Sequence, residues 1–200
     1  MQNKLLKLLK ATIIKLIVAY FFVAIIFSLY KICLENKFET VAGIVRIFAA
    51  NRELKTLDPV LDGNILLHRP IYGNQYARIK IPSIDIDLPL YYGEGLDLLK
   101  KGIGQDSNSY FPGEGGTILC MGHNFKSFLA RLPETRIGDK ILIETSYGTF
   151  EYTMYESKIV HETDLGAAPI QKEEERLIIY TCYPINNIGH AYQRYLVYAK

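Results

Sequence analysis

The sequence predicts a mainly-β domain, a barrel or a sandwich, carried behind one N-terminal transmembrane helix. Three observations lead there: a long apolar run near the start, a string of short alternating segments over residues 76–200, and positive charge gathered at one end. The composition is that of a packed protein. Of 200 residues, 49% are hydrophobic, 12% aromatic and 22% charged, which excludes a disordered or low-complexity chain. Three cysteines are too few for a small disulfide-stapled scaffold. No internal repeat or biased tract appears.

The transmembrane reading rests on residues 11–34, ATIIKLIVAYFFVAIIFSLYKICL, whose only charges are Lys15 and Lys31. About 20 apolar residues cross a bilayer, and a lysine near the end of a span reaches the headgroups with its long side chain. Residues 1–37 carry six lysines against one glutamate, a balance of +5, whereas residues 38–200 sum to −3. By the positive-inside rule the N-terminus is cytoplasmic and the rest of the chain is outside. A cleaved signal peptide fits less well, because the apolar run is too long and no small-x-small site follows directly. The net-acidic remainder, without a basic stripe, argues against a nucleic-acid partner. The expected organisation is a cytoplasmic tip and signal anchor over 1–37, a juxtamembrane helix and linker over 38–75, and the β domain over 76–200.

Within the juxtamembrane part, Val41, Ile44, Val45 and Phe48 recur at helical spacing. Asp58-Pro59 and Asp62-Gly63-Asn64 then break regularity, so 58–75 reads as linker or as an N-terminal wrap. ARIKIP alternates and stops at a proline. IDIDLPLYYG alternates again, with Pro89 asking for an edge or a bulge. Thr117–Gly122 (TILCMG) is an apolar run bounded by glycines. KILIE, TFEYTMYE, RLIIYTC and YQRYLVYA complete at least six strands, with short helical stretches near 96–101 and 125–132.

Few residues in this pattern bear chemistry. Outside the apolar segment, which holds Cys33, stand Cys120 and Cys182. An exported pair is open to a disulfide. Cys182, however, closes an apolar strand just before Tyr183-Pro184, a setting that suits a nucleophilic thiol if a base and a cation stand near. His123, in Gly122-His123-Asn124, leaves a buried-type strand at the kind of exit where catalytic groups are displayed. His68 and His161 lie in polar surroundings. Arg194 shares a strand face with Tyr192 and Leu196, and a guanidinium among apolar neighbours needs an acidic or oxyanionic partner.

In order along residues 70–200, ARIKIPSIDIDLPLYYG, YFPGEGGTILCMGHN, LIIYTCYP and QRYLVYAK resemble successive signatures of the sortases, membrane-anchored cysteine transpeptidases of Gram-positive bacteria. TCYP together with GHN resembles class D. The resemblance implies a closed β-barrel of about eight strands with short helices. It implies His123, Cys182 and Arg194 as catalytic residues, and Thr181, Tyr183 and His190 as substrate-binding residues. It further implies secreted proteins with a Leu-Pro-x-Thr-type C-terminal sorting signal as substrates, an amine of a cell-wall precursor or a pilin lysine as acceptor, and the lipid bilayer as partner of residues 11–34. The usual Thr-Leu of the nucleophile strand is Ile178-Ile179 here, a change that keeps strand character.

Two other classes stay in view. One is a membrane-anchored cysteine peptidase that uses the same three residues and releases the acyl group to water. The other is a zinc-stabilised binding domain built on Cys120, His123, Cys182 and His190, with poor ligand spacing. Glu162, Asp164 and Glu173–Glu175 lack convincing spacing for a divalent cation. The expectation is therefore no metal and no cofactor, with a loop-bound divalent cation as the one open possibility.

Overall fold

The computed structural model describes residue 13, residues 15–28, 30–31, 61–185, 187 and 189–200. The chain divides into two units, Met1–Ala42 and Gly43–Lys200. In the first, residues 15–28 are helical, with Leu16, Phe21, Phe22 and Ile26 all more than half exposed. Among the described residues no helix is long and apolar enough to cross a membrane. The expected span over 11–34 includes residues outside the described set, and the expected helix over 38–57 lies wholly outside it.

In the second unit, eight strands close into a barrel in the order β10-β8-β7-β3-β4-β5-β6-β9. They are β3 (Gln75–Ile81), β4 (Ile86–Tyr92), β5 (Ile103–Gln105), β6 (Thr117–Gly122), β7 (Lys140–Thr145), β8 (Gly148–His161), β9 (Arg176–Tyr183) and β10 (Gln193–Ala199). Closure leaves this barrel no free edge among the described residues. The expected linker before the barrel is a wrap in which β1 (Leu61–Asp62) and β2 (Ile65–Leu66) form a small hairpin. Leu66 enters the core, and Arg69 donates to Glu114 at 2.8 Å.

Pro89 sits where its missing N–H costs least. It faces Arg78 of β3, while pairing of β4 with β5 begins only at Leu90. The stretch 125–132 is not a helix: 125–131 is a run of tight turns, followed by a single 3-10 turn at Leu132–Glu134. Its helix-like apolar spacing reflects Phe128, Leu129 and Leu132, which all pack into the core.

Pleating sorts the side chains of β6, β9 and β10 onto two faces. Ile118, Cys120, Leu177, Ile179, Val197 and Ala199 belong to the barrel core. The alternate residues Leu119, Ile178, Leu196 and Tyr198 form a second apolar cluster on the outer face. The β8–β9 connection covers that cluster: Ala167 and Ala168 pack on it, Tyr198 donates to the Ala167 carbonyl at 2.7 Å, and Thr117 donates to the Pro169 carbonyl at 3.0 Å. At the far end of this connection, Glu175 accepts the backbone N–H groups of Gly113 and Gly115 and the Tyr152 hydroxyl. Both glycines have positive φ, the backbone conformation that lets successive N–H groups face one anion. The acidic run therefore splits, with Glu173 and Glu174 exposed and Glu175 a structural carboxylate.

Candidate active site

Parallel strands end at the same side of a sheet, and the site grows from one such pair. β6 and β9 are parallel, with Gly122 level with Thr181. His123 is the first residue after β6, and Cys182 follows Thr181 in β9. On the other side of β9, antiparallel β10 sets Arg194 directly opposite Cys182. Cys182 and Arg194 share the parity of the outer cluster (Ile178 and Tyr180; Leu196 and Tyr198). Both therefore emerge on the outer face, His123 follows the end of β6, and each of the three is half-buried.

Local contacts fix the three strand ends. Gly122 is glycine because a Cβ there would meet Leu129 Cδ1 at 2.8 Å. The His123 carbonyl accepts from the Leu129 N–H at 2.9 Å, and the His123 ring lies 5.5 Å from Phe125 and 6.1 Å from Phe128 between centroids. Asn124, buried, donates its amide to the Pro184 carbonyl at 3.2 Å, joining the loop after His123 to the loop after Cys182. Thr181 is 1% exposed, and its hydroxyl donates to the Gly122 carbonyl at 2.8 Å. That hydroxyl straps the histidine strand to the cysteine strand. Tyr183 stacks at 6.2 Å on Tyr195, which packs on the core. His190 is exposed in the β9–β10 loop and bonds Glu162 at 2.6 Å through Nε2.

Arg194 has the acidic partner that its surroundings require. Its Nη2 donates to Glu162 Oε2 at 2.9 Å, while Nη1 donates to the carbonyls of Ala191 and Gln193 at 2.6 and 2.9 Å. The guanidinium side chain is 23% exposed. Glu162 stands one residue past β8, and its N–H donates to the Tyr192 carbonyl at 2.8 Å, prolonging the β8–β10 ladder. It shares the outer face with Val160, the direct cross-strand partner of Arg194. The hydrogen bond from His190 is the main cause that holds the Glu162 carboxyl below its ordinary range, and the Arg194 charge adds to it.

Burial is the main cause that lowers the His123 imidazole below its ordinary value, and the positive charge of Lys100 adds to it. Since the unfolded chain then takes up a proton first, this histidine lowers stability as the pH falls through the window just below 6.5. Lys100→Gln removes the like charge, so the His123 titration followed by NMR is expected to move upward. An unchanged titration midpoint would show that Lys100 does not act on this ring.

The cysteines separate by face. Cys120 and Cys182 are both free thiols, with Cys120 in the core and Cys182 on the outer face. Neither a disulfide nor the zinc set of Cys120, His123, Cys182 and His190 survives this arrangement, because one member is sealed inside the barrel. Among the described residues no group of three or more His, Cys, Asp or Glu side chains is arranged to hold a metal ion.

The sortase-domain family model matches residues 79–200. The chain belongs to the sortase family. This sortase is 38% identical over 132 residues to Sortase D of Bacillus subtilis (strain 168), covering 66% of either chain. It is 26% identical over 109 residues to Sortase A of Listeria monocytogenes, covering 53% of this chain and 48% of that one. It thus spans just under two thirds and about half of the length of these relatives. Among solved structures, a Clostridium perfringens Sortase D5 transpeptidase superimposes with a TM-score of 0.63 at 22% identity, covering 80% of this chain and 98% of that one. The catalytic domain of B. anthracis SrtD superimposes with a TM-score of 0.56 at 29% identity, covering 68% and 92%. Within the family this sortase is most like class D.

Cys182 and Arg194, both expected from the sequence, lie directly opposite one another, and two residues that were not expected, Asn124 and Glu162, tie down their surroundings. Asn124 was visible only as part of a motif. Glu162 stood in the sequence only as a poorly spaced candidate for a divalent cation, and its signal was the unmet need of Arg194 for an anion.

Proposed function

We propose that this sortase is a membrane-anchored cysteine transpeptidase that cleaves a Leu-Pro-x-Thr-type sorting signal after Thr and passes the acyl group to an amine. The observation that carries this reading is the juxtaposition of Cys182 with Arg194 across one strand pair, with His123 directly following β6, whose last residue pairs with Thr181. His123 takes the thiol proton as the Cys182 Sγ attacks the threonyl carbonyl carbon. The C–N bond breaks from the tetrahedral intermediate, and the imidazolium gives that proton to the leaving amine. An incoming amine, deprotonated by the same imidazole, then displaces Sγ, which takes the proton back from the imidazolium and is restored as the thiol. Splitting one difficult acyl transfer into two easier ones is what a thioester contributes. Arg194 stabilises the oxyanion or holds the substrate backbone, in a half-buried site where such donors are worth most.

The lysine bias before residue 11 and the helix over 15–28, apolar on every side after Lys15, support an N-terminal anchor with the barrel outside. A helix that is apolar on every side suits lipid rather than water.

The test is cleavage of a Leu-Pro-x-Thr-type peptide with and without an added amine such as triglycine. Joining of the acyl fragment to the amine is the expected product. Release to water alone, at a rate the amine leaves unchanged, would make the chain a peptidase. The Arg194 role has its own expected outcome. Lysine keeps a charge for Glu162 but loses the planar fork, so Arg194→Lys is expected to lower kcat/KM by about 10²–10³ with Tm nearly unchanged. A lysine variant within about threefold of wild type, well under 1 kcal/mol, would reduce Arg194 to a structural ion pair.

A further inference from the structure

We infer that Glu162 is a positioning residue for this reaction: it aims the Arg194 guanidinium at Cys182 and ties that aim to the β9–β10 loop through His190. The inference rests on the sortase reading above and on a bond count. An arginine has five N–H donors. Glu162 takes one from Nη2, and the carbonyls of Ala191 and Gln193 take those of Nη1. Fixed acceptors therefore hold three donors, leaving two for a reacting carbonyl. The two backbone acceptors belong to the loop end and to β10 itself, so they travel with Arg194. Glu162 is the acceptor that comes from elsewhere in the chain, just past the end of β8.

The geometry makes Glu162 a junction. Its backbone is locked to Tyr192 by the 2.8 Å ladder bond, so its side chain starts from a fixed point. Oε2 goes to Arg194 at 2.9 Å and Oε1 to His190 at 2.6 Å. His190 in turn packs edge-on against Tyr192 at 4.6 Å, and its carbonyl accepts from the Asn187 amide at 3.1 Å. One carboxylate thus spans the last turn of the loop that separates Cys182 from Arg194 in sequence. An ion pair on an open surface contributes little to stability. Its value here lies in orientation, since small misplacements at a reacting centre cost up to about 10²-fold in rate.

Glu162→Ala is expected to lower kcat by about 10–10², with KM within twofold and Tm within a few degrees. Glu162→Gln keeps an acceptor for Arg194 and is expected to recover part of the loss. In an Arg194→Ala background, Glu162→Ala is expected to change kcat less than twofold, because there is nothing left to aim. A substrate-free arm uses NMR of the arginine side chains, with the Arg194 signals assigned by their loss in Arg194→Lys. Restricted guanidinium rotation in the wild type is expected to be lost in Glu162→Ala. Failure of the wild type to cleave any sorting peptide would count against the transpeptidase reading, and the NMR arm would still judge the pairing. Three results would overturn the inference: Glu162→Ala within threefold of wild type, an equal loss in the Arg194→Ala background, or Arg194 signals that do not respond to Glu162. A rise in kcat above wild type would overturn it too, since the carboxylate would then restrain the arginine.

Discussion

Cys182→Ala is expected to abolish both peptide cleavage and acyl transfer while leaving the fold intact. The thiol stands at the end of β9 on the outer face, outside the barrel core, so its loss opens no interior cavity. Among the described residues the only other thiol is Cys120. It is fully buried, and burial pushes its pKa far up, away from the thiolate form that attacks carbonyls. Cys120→Ala is therefore expected to retain near wild-type kcat/KM and to lose about 1 kcal/mol of stability, a typical figure for a small core change. Rates and melting curves of the two variants check both statements. A dead Cys120→Ala beside an active Cys182→Ala would reverse the assignment.

His123→Ala is expected to follow in size, with a loss of about 10²–10⁴ in kcat/KM, the usual contribution of a positioned proton-transfer group. The ring is half-buried beside Phe125 and Phe128, and burial lowers its pKa below the ordinary imidazole value. The wild-type pH–rate profile is expected to be bell-shaped, and His123→Ala to lose one limb. His161 is the control. It is exposed at the end of β8 and shares a 2.9 Å bond with Thr163, so His161→Ala is expected to behave as wild type. An equal loss there would show that the wrong histidine had been chosen.

The chemistry was more legible in the sequence than the framework that holds it. β6, β9 and β10 stood out because both of their faces are buried, one in the barrel core and one under the β8–β9 connection, which makes the stretches around Cys120, Cys182 and Arg194 near-continuous apolar runs. β5 was missed because three residues, Ile103–Gln105, are too few to show a period. The tight turns after His123 were read as helix, since Phe128, Leu129 and Leu132 dip into the core at a helix-like interval without helical bonding. The length of β8, running on through the polar Glu156–Lys158 to His161, also escaped, because that end is largely exposed.

Partners across the sheet were the least legible part. The need of Arg194 for an acid could be stated from its neighbours, but which acid depends on the β8–β10 register, and Glu162 lies 32 residues away in the chain. The same limit applied to Thr181, expected to line the substrate site and found with its hydroxyl bonded to the Gly122 carbonyl. It applied as well to Glu175, whose acceptor role depends on the glycine loop folding back over the barrel mouth.

The central claim is a covalent acyl-enzyme on Cys182, and mass spectrometry of the whole chain tests it most directly. The protein is mixed with a Leu-Pro-x-Thr-type peptide in the absence of an amine acceptor, quenched in acid, weighed intact and then mapped. The account predicts a mass increase equal to the fragment ending in Thr, located on the peptide that holds Cys182 and removed by hydroxylamine. Cleavage that proceeds with no adduct, or an adduct located on Cys120, would contradict it.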